Sequence, residues 1–293
     1  MQIEHLVISG GCVWGLYEYG LLKQLSKSGI WDIQNIKTMY TTSAGAVVGA
    51  VLAMKIDLDT LDTYLIDRPW NQVWKENCYH LLEAFNACGL FHKQAFYEMF
   101  TPLLKSIDLS IDTTMAEFYL ATGIDIHIFI TELNVFENIE ICFERYPDWK
   151  LVDAIYASCT LPAIFAPIMK DNKCYIDGGF FNNYPIKPCF MSVEDPDTIL
   201  GICIEKTTDE DKPTIINEES TIIDFTGLLL NRLLKNMIFM NDNTGMIKYE
   251  IIKGTPSTTI EHMQEVASSK EERRKLIMNG MHDAVTYIEK WTS

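Results

Sequence analysis

Two strand–turn–helix units follow one another in the first fifty-odd residues, and this constrains the fold more than any other feature of the chain. The run IEHLVIS (3–9) is apolar and β-branched, and GGCVWG (10–15) breaks it. GLYEYGLLKQLSKSG (15–29) carries Leu16, Tyr19, Leu22 and Leu25 at three-residue spacing, with Gly29 as a stop. IKTMYTT (36–42) reads as a second strand and AGAVVGAVLAM (44–54) as a helix of small residues. Such alternation predicts a parallel sheet with helices on its faces.

Residues 57–122 read as a helical insertion, in the segments LDTLDTYLIDR, KQAFYEMFTPLLKSI and TTMAEFYLATG. Strands return at IDIHIFITELN (124–134) and NIEICFE (138–144), placed to pair through the turn between them. A helix runs from 149 to Pro162, and strands follow at KCYIDGGF (173–180) and TILGICIE (198–205). The acidic stretch 206–221 breaks the apolar pattern and is the best linker candidate. Beyond it the pattern predicts a helix at about 222–242, a strand KYEIIKG (248–254) and an amphipathic helix at about 263–291. The expectation is an α/β fold: a central, mostly parallel sheet flanked by helices. Residues 1–205 form its core, and 206–293 a mainly helical C-terminal extension packed on that core.

The net charge of −16 argues against nucleic acid as the main partner, because phosphate binding needs a basic stripe. It argues equally against electrostatic adhesion to an anionic membrane, and leaves peripheral contact with a neutral or zwitterionic surface open. The eight cysteines include no C-x-x-C pair, which points to reduced core thiols. The start MQIEHLVISGG lacks the basic n-region of a signal peptide, and no apolar run approaches the roughly 20 residues of a membrane span. A cytoplasmic protein is expected. No D-x-D-x-D-G loop occurs, so neither metal nor cofactor is expected.

Three segments have the residues that chemistry needs. SGGCVWG (9–15) lies between a buried strand and a helix, where backbone N–H groups face an anion. A dinucleotide fingerprint would need glycine at Cys12 and an acid at the end of the second strand, and a P-loop would need Gly-Lys-Ser/Thr; none is present. What remains is an oxyanion hole or a structural turn. YTTSAGA (40–46) places Ser43 between strand and helix, as a nucleophile elbow does, with Gly45 present and Thr41 where a glycine is usual. YIDGGFFNNYP (175–185) puts Asp177 at a strand's carboxyl end before two glycines; an Asp-Gly turn is the alternative.

Taken in order, these blocks resemble the patatin-like phospholipase family. Its glycine-rich oxyanion loop is matched by Ser9 to Gly15, its G-x-S-x-G elbow by Thr41 to Gly45, and its D-G-G/A segment by Asp177, Gly178 and Gly179. Asn183-Tyr184-Pro185 matches the family's Asn-x-Pro, and Ala157 to Pro167 its A-S-x-x-x-P-x-x-F-x-P stretch. The match covers roughly 3–205. Cys12 stands for a loop glycine, Trp14 for a basic residue and Thr41 for the elbow's first glycine; Trp14 costs a positive charge and offers an apolar side chain to the mouth of the site.

The resemblance implies a three-layer α/β/α fold and a lipid acyl hydrolase working by a Ser-Asp dyad. Ser43 would be the nucleophile, Asp177 the base, and Gly10, Gly11 and Cys12 the oxyanion donors, with Gly15, Thr41, Gly45, Gly178 and Gly179 in support. A Ser-Asp-His triad using His262 or His282 is the rival; His5 and His127 fall in strands, His80 and His92 in the insertion. An inactive lipid-binding protein, or an esterase or thioesterase on small substrates, are the competing functions. Residues 222–240 read as a core helix or as a lid. The missing glycine at Thr41 calls for a small neighbour to make room, expected from the loop 10–15.

Overall fold

The computed structural model describes residues 2–206, 244–256 and 258–292, with 216–218, 220, 225–226, 228–229 and 232–233 in between. The acidic stretch at 206–221 and the apolar helix at about 222–242 fall largely outside the described residues.

In chain order the elements are β1 (His5–Ile8), α1 (Gly15–Lys27), β2 (Thr38–Thr42) and α2 (Ala44–Ala53). The insertion follows as α3 (Leu58–Asp67), α4 (Trp70–Glu76), α5 (Leu81–Ala87), β3 (Gly89–Phe91), α6 (Gln94–Lys105) and α7 (Met115–Thr122). Then come β4 (Asp125–Glu132), β5 (Glu137–Ile141), α8 (Leu151–Cys159), β6 (Ala163–Phe165), β7 (Ile168–Lys170) and β8 (Lys173–Asp177). Last are α9 (Gly179–Asn182), α10 (Ile186–Ser192), β9 (Ile199–Lys206), β10 (Tyr249–Thr255), α11 (Ile260–Ser268) and α12 (Lys270–Thr292).

The main sheet has the order β10-β9-β1-β2-β4-β8-β7. It is mixed: β10, β9, β1, β2 and β4 are parallel, whereas β8 joins β4 antiparallel, β7 joins β8 antiparallel, and β5 pairs with β4 as a hairpin. The strands alternate their side chains between two cores. Leu6, Ile8, Met39, Ile126 and Ile128 enter the larger one, with residues of α1, α2, α6, α8 and α12. Val7, Tyr40 and Phe129 enter the smaller one, beneath α10. The architecture is three-layered, α/β/α.

Two segments differ from the sequence reading. The insertion contains β3, which pairs in parallel with β6 more than seventy residues away, outside the main sheet. The amphipathic helix at 263–291 is two helices, because Ser269 is extended (φ −108°, ψ 118°) and its Oγ accepts the Glu272 amide at 3.2 Å. This is an N-cap written in the sequence as Ser-x-x-Glu. The second of these helices, α12, crosses α1 closely: a Cβ at Gly280 would fall 2.1 Å from Tyr17 O, and one at Gly20 2.1 Å from Ile277 O.

On the smaller-core face, His127 stacks on Tyr40 with centroids 4.1 Å apart. Its Nε2 lies 3.0 Å from Asp125 Oδ2 and its Nδ1 2.6 Å from Glu140 Oε1. Two carboxylates can both be satisfied only if both ring nitrogens donate, so the ring is an imidazolium. Burial works to lower its pKa, but hydrogen bonds involving Asp125, Cys142 and Glu140 outweigh it and push it up to about 12. Because the folded pKa lies above the unfolded value, the stabilisation is complete below about pH 6.5 and fades as pH rises toward 12. His127→Gln is expected to cost about 3 kcal/mol at pH 6. In urea denaturation the deficit should narrow steadily as the pH is raised through 9; a pH-independent deficit would exclude the charged ring.

Candidate active site

β1 and β2 both end at one edge of the sheet, and their following turns supply two of the expected segments. After β1, Ser9 Oγ accepts the Ile204 amide at 2.8 Å and donates to Glu18 Oε1 at 3.0 Å. Burial pushes the pKa of the Glu18 carboxyl, which lies beneath the loop, well above its ordinary value, against the hydrogen bond from Ser9. The Gly10 amide donates to Asn183 O at 2.9 Å, and Asn183 Nδ2 donates back to Gly10 O at 3.0 Å. Cys12 has φ +55°, in the left-handed region that a glycine would occupy at little cost, and begins a 3-10 turn (Cys12–Trp14) continuous with α1. Gly11 and Cys12 therefore stand at a helix start, where amides lack intrahelical acceptors. Trp14 packs edge-on to Tyr17 and His262, with centroids 6.2 and 6.0 Å away.

After β2, Ser43 adopts φ 52°, ψ −121°, a conformation strained for any residue but glycine. Its amide donates to Ser158 Oγ at 2.7 Å, and Ser158 Oγ donates onward to Phe129 O at 2.6 Å. Its hydroxyl donates to Asp177 Oδ2 at 2.8 Å, across 134 residues of sequence. Asp177 is buried, its Oδ1 accepts the Gly179 amide at 2.7 Å, and its carbonyl accepts Thr131 Oγ1 at 2.8 Å. Asp177 does lie at a strand's carboxyl end, but that strand runs antiparallel and reaches the site from outside the sheet edge.

Close packing explains the elbow's composition. A Cβ at Gly45 would fall 2.3 Å from Ile8 O and 2.6 Å from Ser9 O, so α2 cannot approach β1 with any larger residue there. The room for Thr41 comes from elsewhere than the loop 10–15. It comes from Gly49, one turn along α2, where a Cβ would fall 2.8 Å from Thr41 Cγ2.

An apolar cavity of about 290 Å³ lies against Ser43. It follows α2 past Val47 and Val51 and is walled by Trp74, Phe96 and Met263. Arg273 also borders it, yet all its N–H groups are directed at carbonyls: Ile66 O, Arg68 O, Val266 O and Ala267 O, at 2.6 to 3.2 Å. Cys159 faces the same space; burial first, then the Asp177 charge, push its thiol well above its ordinary value. Among the described residues no group of three or more His, Cys, Asp or Glu side chains is arranged to hold a metal ion, and no helix is long and apolar enough to cross a membrane.

The sequence model of patatin-like phospholipases matches residues 6–190, well over half the chain. The chain belongs to the patatin-like phospholipase family. It is 25% identical over 191 residues to "Probable lipid hydrolase 463L" of Invertebrate iridescent virus 6, a match spanning 62% of this chain and 61% of that protein. It is 24% identical over 238 residues to "Uncharacterized protein R571" of Acanthamoeba polyphaga mimivirus, spanning 79% of this chain and 77% of the relative. Among solved structures, VipD from Legionella pneumophila aligns over 95% of this chain and 67% of its own, at 14% identity and a TM-score of 0.49. ExoU in its complex with SpcU, from Pseudomonas aeruginosa, aligns over 96% and 52%, at 14% identity and 0.45.

In this member of the family the loop, the elbow and the Asp-Gly-Gly segment converge; of the two rival histidines, His262 packs on Trp14, and Ser43 Oγ is hydrogen-bonded to Asp177 and not to either of them. The sequence marks Ser158 and Asn183 only as parts of motifs. Their contacts cross 115 and 173 residues, which no local pattern announces.

Ser158→Ala leaves the Ser43 amide and Phe129 carbonyl without this partner, and should lower the unfolding free energy by about 1–3 kcal/mol. Gly49→Ala should be destabilising despite the better helix propensity of alanine, and Thr41→Ala in the same chain should recover about 1 kcal/mol of the loss. A double-mutant cycle by urea denaturation tests this; strict additivity would mean that Gly49 does not make the room for Thr41.

Proposed function

We propose that the chain hydrolyses carboxylic esters of lipids, as an acyl hydrolase of the phospholipase A or lysophospholipase type, through an acyl-enzyme on Ser43. The observation that carries this reading is the 2.8 Å hydrogen bond from Ser43 Oγ to Asp177 Oδ2 beside an apolar cavity. Family membership and the name of the iridescent-virus relative support lipid hydrolysis as the class of chemistry.

In the proposed sequence Ser43 Oγ attacks the ester carbonyl while Asp177 Oδ2 takes its proton. The Gly179 amide on Oδ1 keeps Oδ2 turned to the serine. The oxyanion faces the amides of Gly11 and Cys12 at the helix start. The Gly10 amide, engaged by Asn183, holds the loop in place. Collapse returns the proton from Asp177 to the leaving alkoxide. Asp177 then takes a proton from water, the hydroxide attacks the acyl carbonyl, and the fatty acid leaves with Ser43 reprotonated. An apolar cavity favours a long acyl tail over a small polar ester, because each buried methylene adds about 0.8 kcal/mol.

A fluorophosphonate is expected to label Ser43 in the wild type. Ser43→Ala should abolish both labelling and fatty-acid release. Asp177→Asn should lower turnover on the order of 10³-fold or more while the circular dichroism spectrum stays native. Full activity in either variant would exclude the dyad. Chromogenic esters from butyrate to palmitate, assayed beside phospholipid vesicles, separate a lipid hydrolase from a small-ester esterase.

A further inference from the structure

β2 ends with Thr42 opposite Phe129, but β4 runs on through Ile130, Thr131 and Glu132. Three more residues carry it about 10 Å past the end of β2. β7 and β8 accompany it: Leu133 donates its amide to Cys174 O at 2.7 Å, and Met169 pairs with Cys174. The result is a rim of turns projecting from the sheet edge at which Ser43 sits. Four of its outer side chains are large and apolar: Leu133, Val135, Phe136 and Met169 are all exposed, Val135 by 64% and Met169 by 68%. One exposed apolar residue is ordinary, whereas four on a single projecting rim mark a contact surface.

The rim is held before anything binds it. The buried Glu132 carboxylate accepts the amides of Asn134 (3.2 Å), Val135 (2.9 Å) and Cys174 (3.2 Å). Asp171 and Asn172, both at positive φ, make the two-residue turn between β7 and β8. Phe136 has φ +56°, which an aromatic residue adopts only under constraint. Side chains ordered in advance lose less entropy on docking.

An apolar path leads inward from the rim. The Phe136 and Phe181 rings lie 4.6 Å apart, Phe181 and Leu161 pack on the same cluster of Cys174, Ile176 and Phe180, and Leu161 borders the cavity at Ser43. The exposed charges of the rim cancel, Lys170 and Lys173 against Glu137 and Asp171, on a chain whose net charge is −16. An anionic surface repels such a chain; a zwitterionic one meets a neutral, apolar rim.

We infer that the turn Leu133–Phe136 and the β7–β8 turn form a docking surface for a zwitterionic phospholipid bilayer. Val135, Phe136 and Met169 enter its interface, and a lipid tail passes along Phe181 and Leu161 to Ser43. The route of the tail rests on the function proposed above; the docking does not.

The test uses the full chain carrying Ser43→Ala, so that vesicles stay intact, floated with phosphatidylcholine vesicles. The chain is expected to float, phosphatidylserine to lower the bound fraction, and V135D/M169D in the same background to reduce it about tenfold or more. In the chain that keeps Ser43, V135D/M169D should leave hydrolysis of a soluble short-chain ester unchanged and slow that of vesicle lipid by about the same tenfold. Three flotation results overturn the docking surface: a chain that stays at the bottom of the gradient, flotation indifferent to V135D/M169D, or binding that rises with phosphatidylserine. Equal loss on the soluble ester overturns it too, since the rim would then serve only to hold the site together. A chain that floats through its rim yet hydrolyses nothing upholds the docking and removes the hydrolase reading alone.

Discussion

The hydrogen bond between Ser43 and Asp177 exists because one strand receives the ends of two others. β4 pairs in parallel with β2 as far as Thr42 opposite Phe129, and antiparallel with β8 from Ile130 opposite Asp177. Adjacent residues of β4 therefore fix both side chains, and Ser158 ties the Ser43 amide to the carbonyl of the same Phe129. Groups held by a ladder are positioned more tightly than groups held by loops. The reversal of direction at β8 has a second effect. A strand that travels inward to reach Asp177 must start beyond the sheet edge, and the projecting rim is that starting point.

Charge is sorted between the two faces of the sheet. The face under α10 holds the Asp125–His127–Glu140 cluster, in which an ion pair network is sealed by Tyr40. The opposite face holds the apolar cavity, and Arg273, which borders it, is dispersed over carbonyls at the ends of α3 and α11. Helix C-termini carry partial negative charge, so this cation needs no acid beside it. Among the described residues that line the cavity, none offers a bare charge to a hydrocarbon tail running along α2.

The readable parts of the molecule were those set by neighbours in sequence. The two strand–turn–helix units, the β4–β5 hairpin and the small residues of α2 all follow from local periodicity and turn chemistry. Ser43 and Asp177 stand out in the sequence because strand ends in α/β sheets are where ligands bind, and because the ordered blocks match a family; that the two side chains meet is a contact across 134 residues. The rest depends on contacts through space. The β3–β6 pairing, the Gly10–Asn183 exchange and the Ser158 clamp join residues with no shared local signal. The break at Ser269 is different: its Ser-x-x-Glu signal was present but lay within a continuous amphipathic pattern that overrode it.

Thr41 and Gly49 show what the missing elbow glycine amounts to. The turn requires an empty volume between β2 and α2, and that volume is owned jointly by two positions, not by one letter of a motif. Chains can move the vacancy from strand to helix while the serine stays where it is. A pattern search that insists on glycine at the strand position will pass over such chains, whereas one that asks for a small residue at either member of the pair will find them.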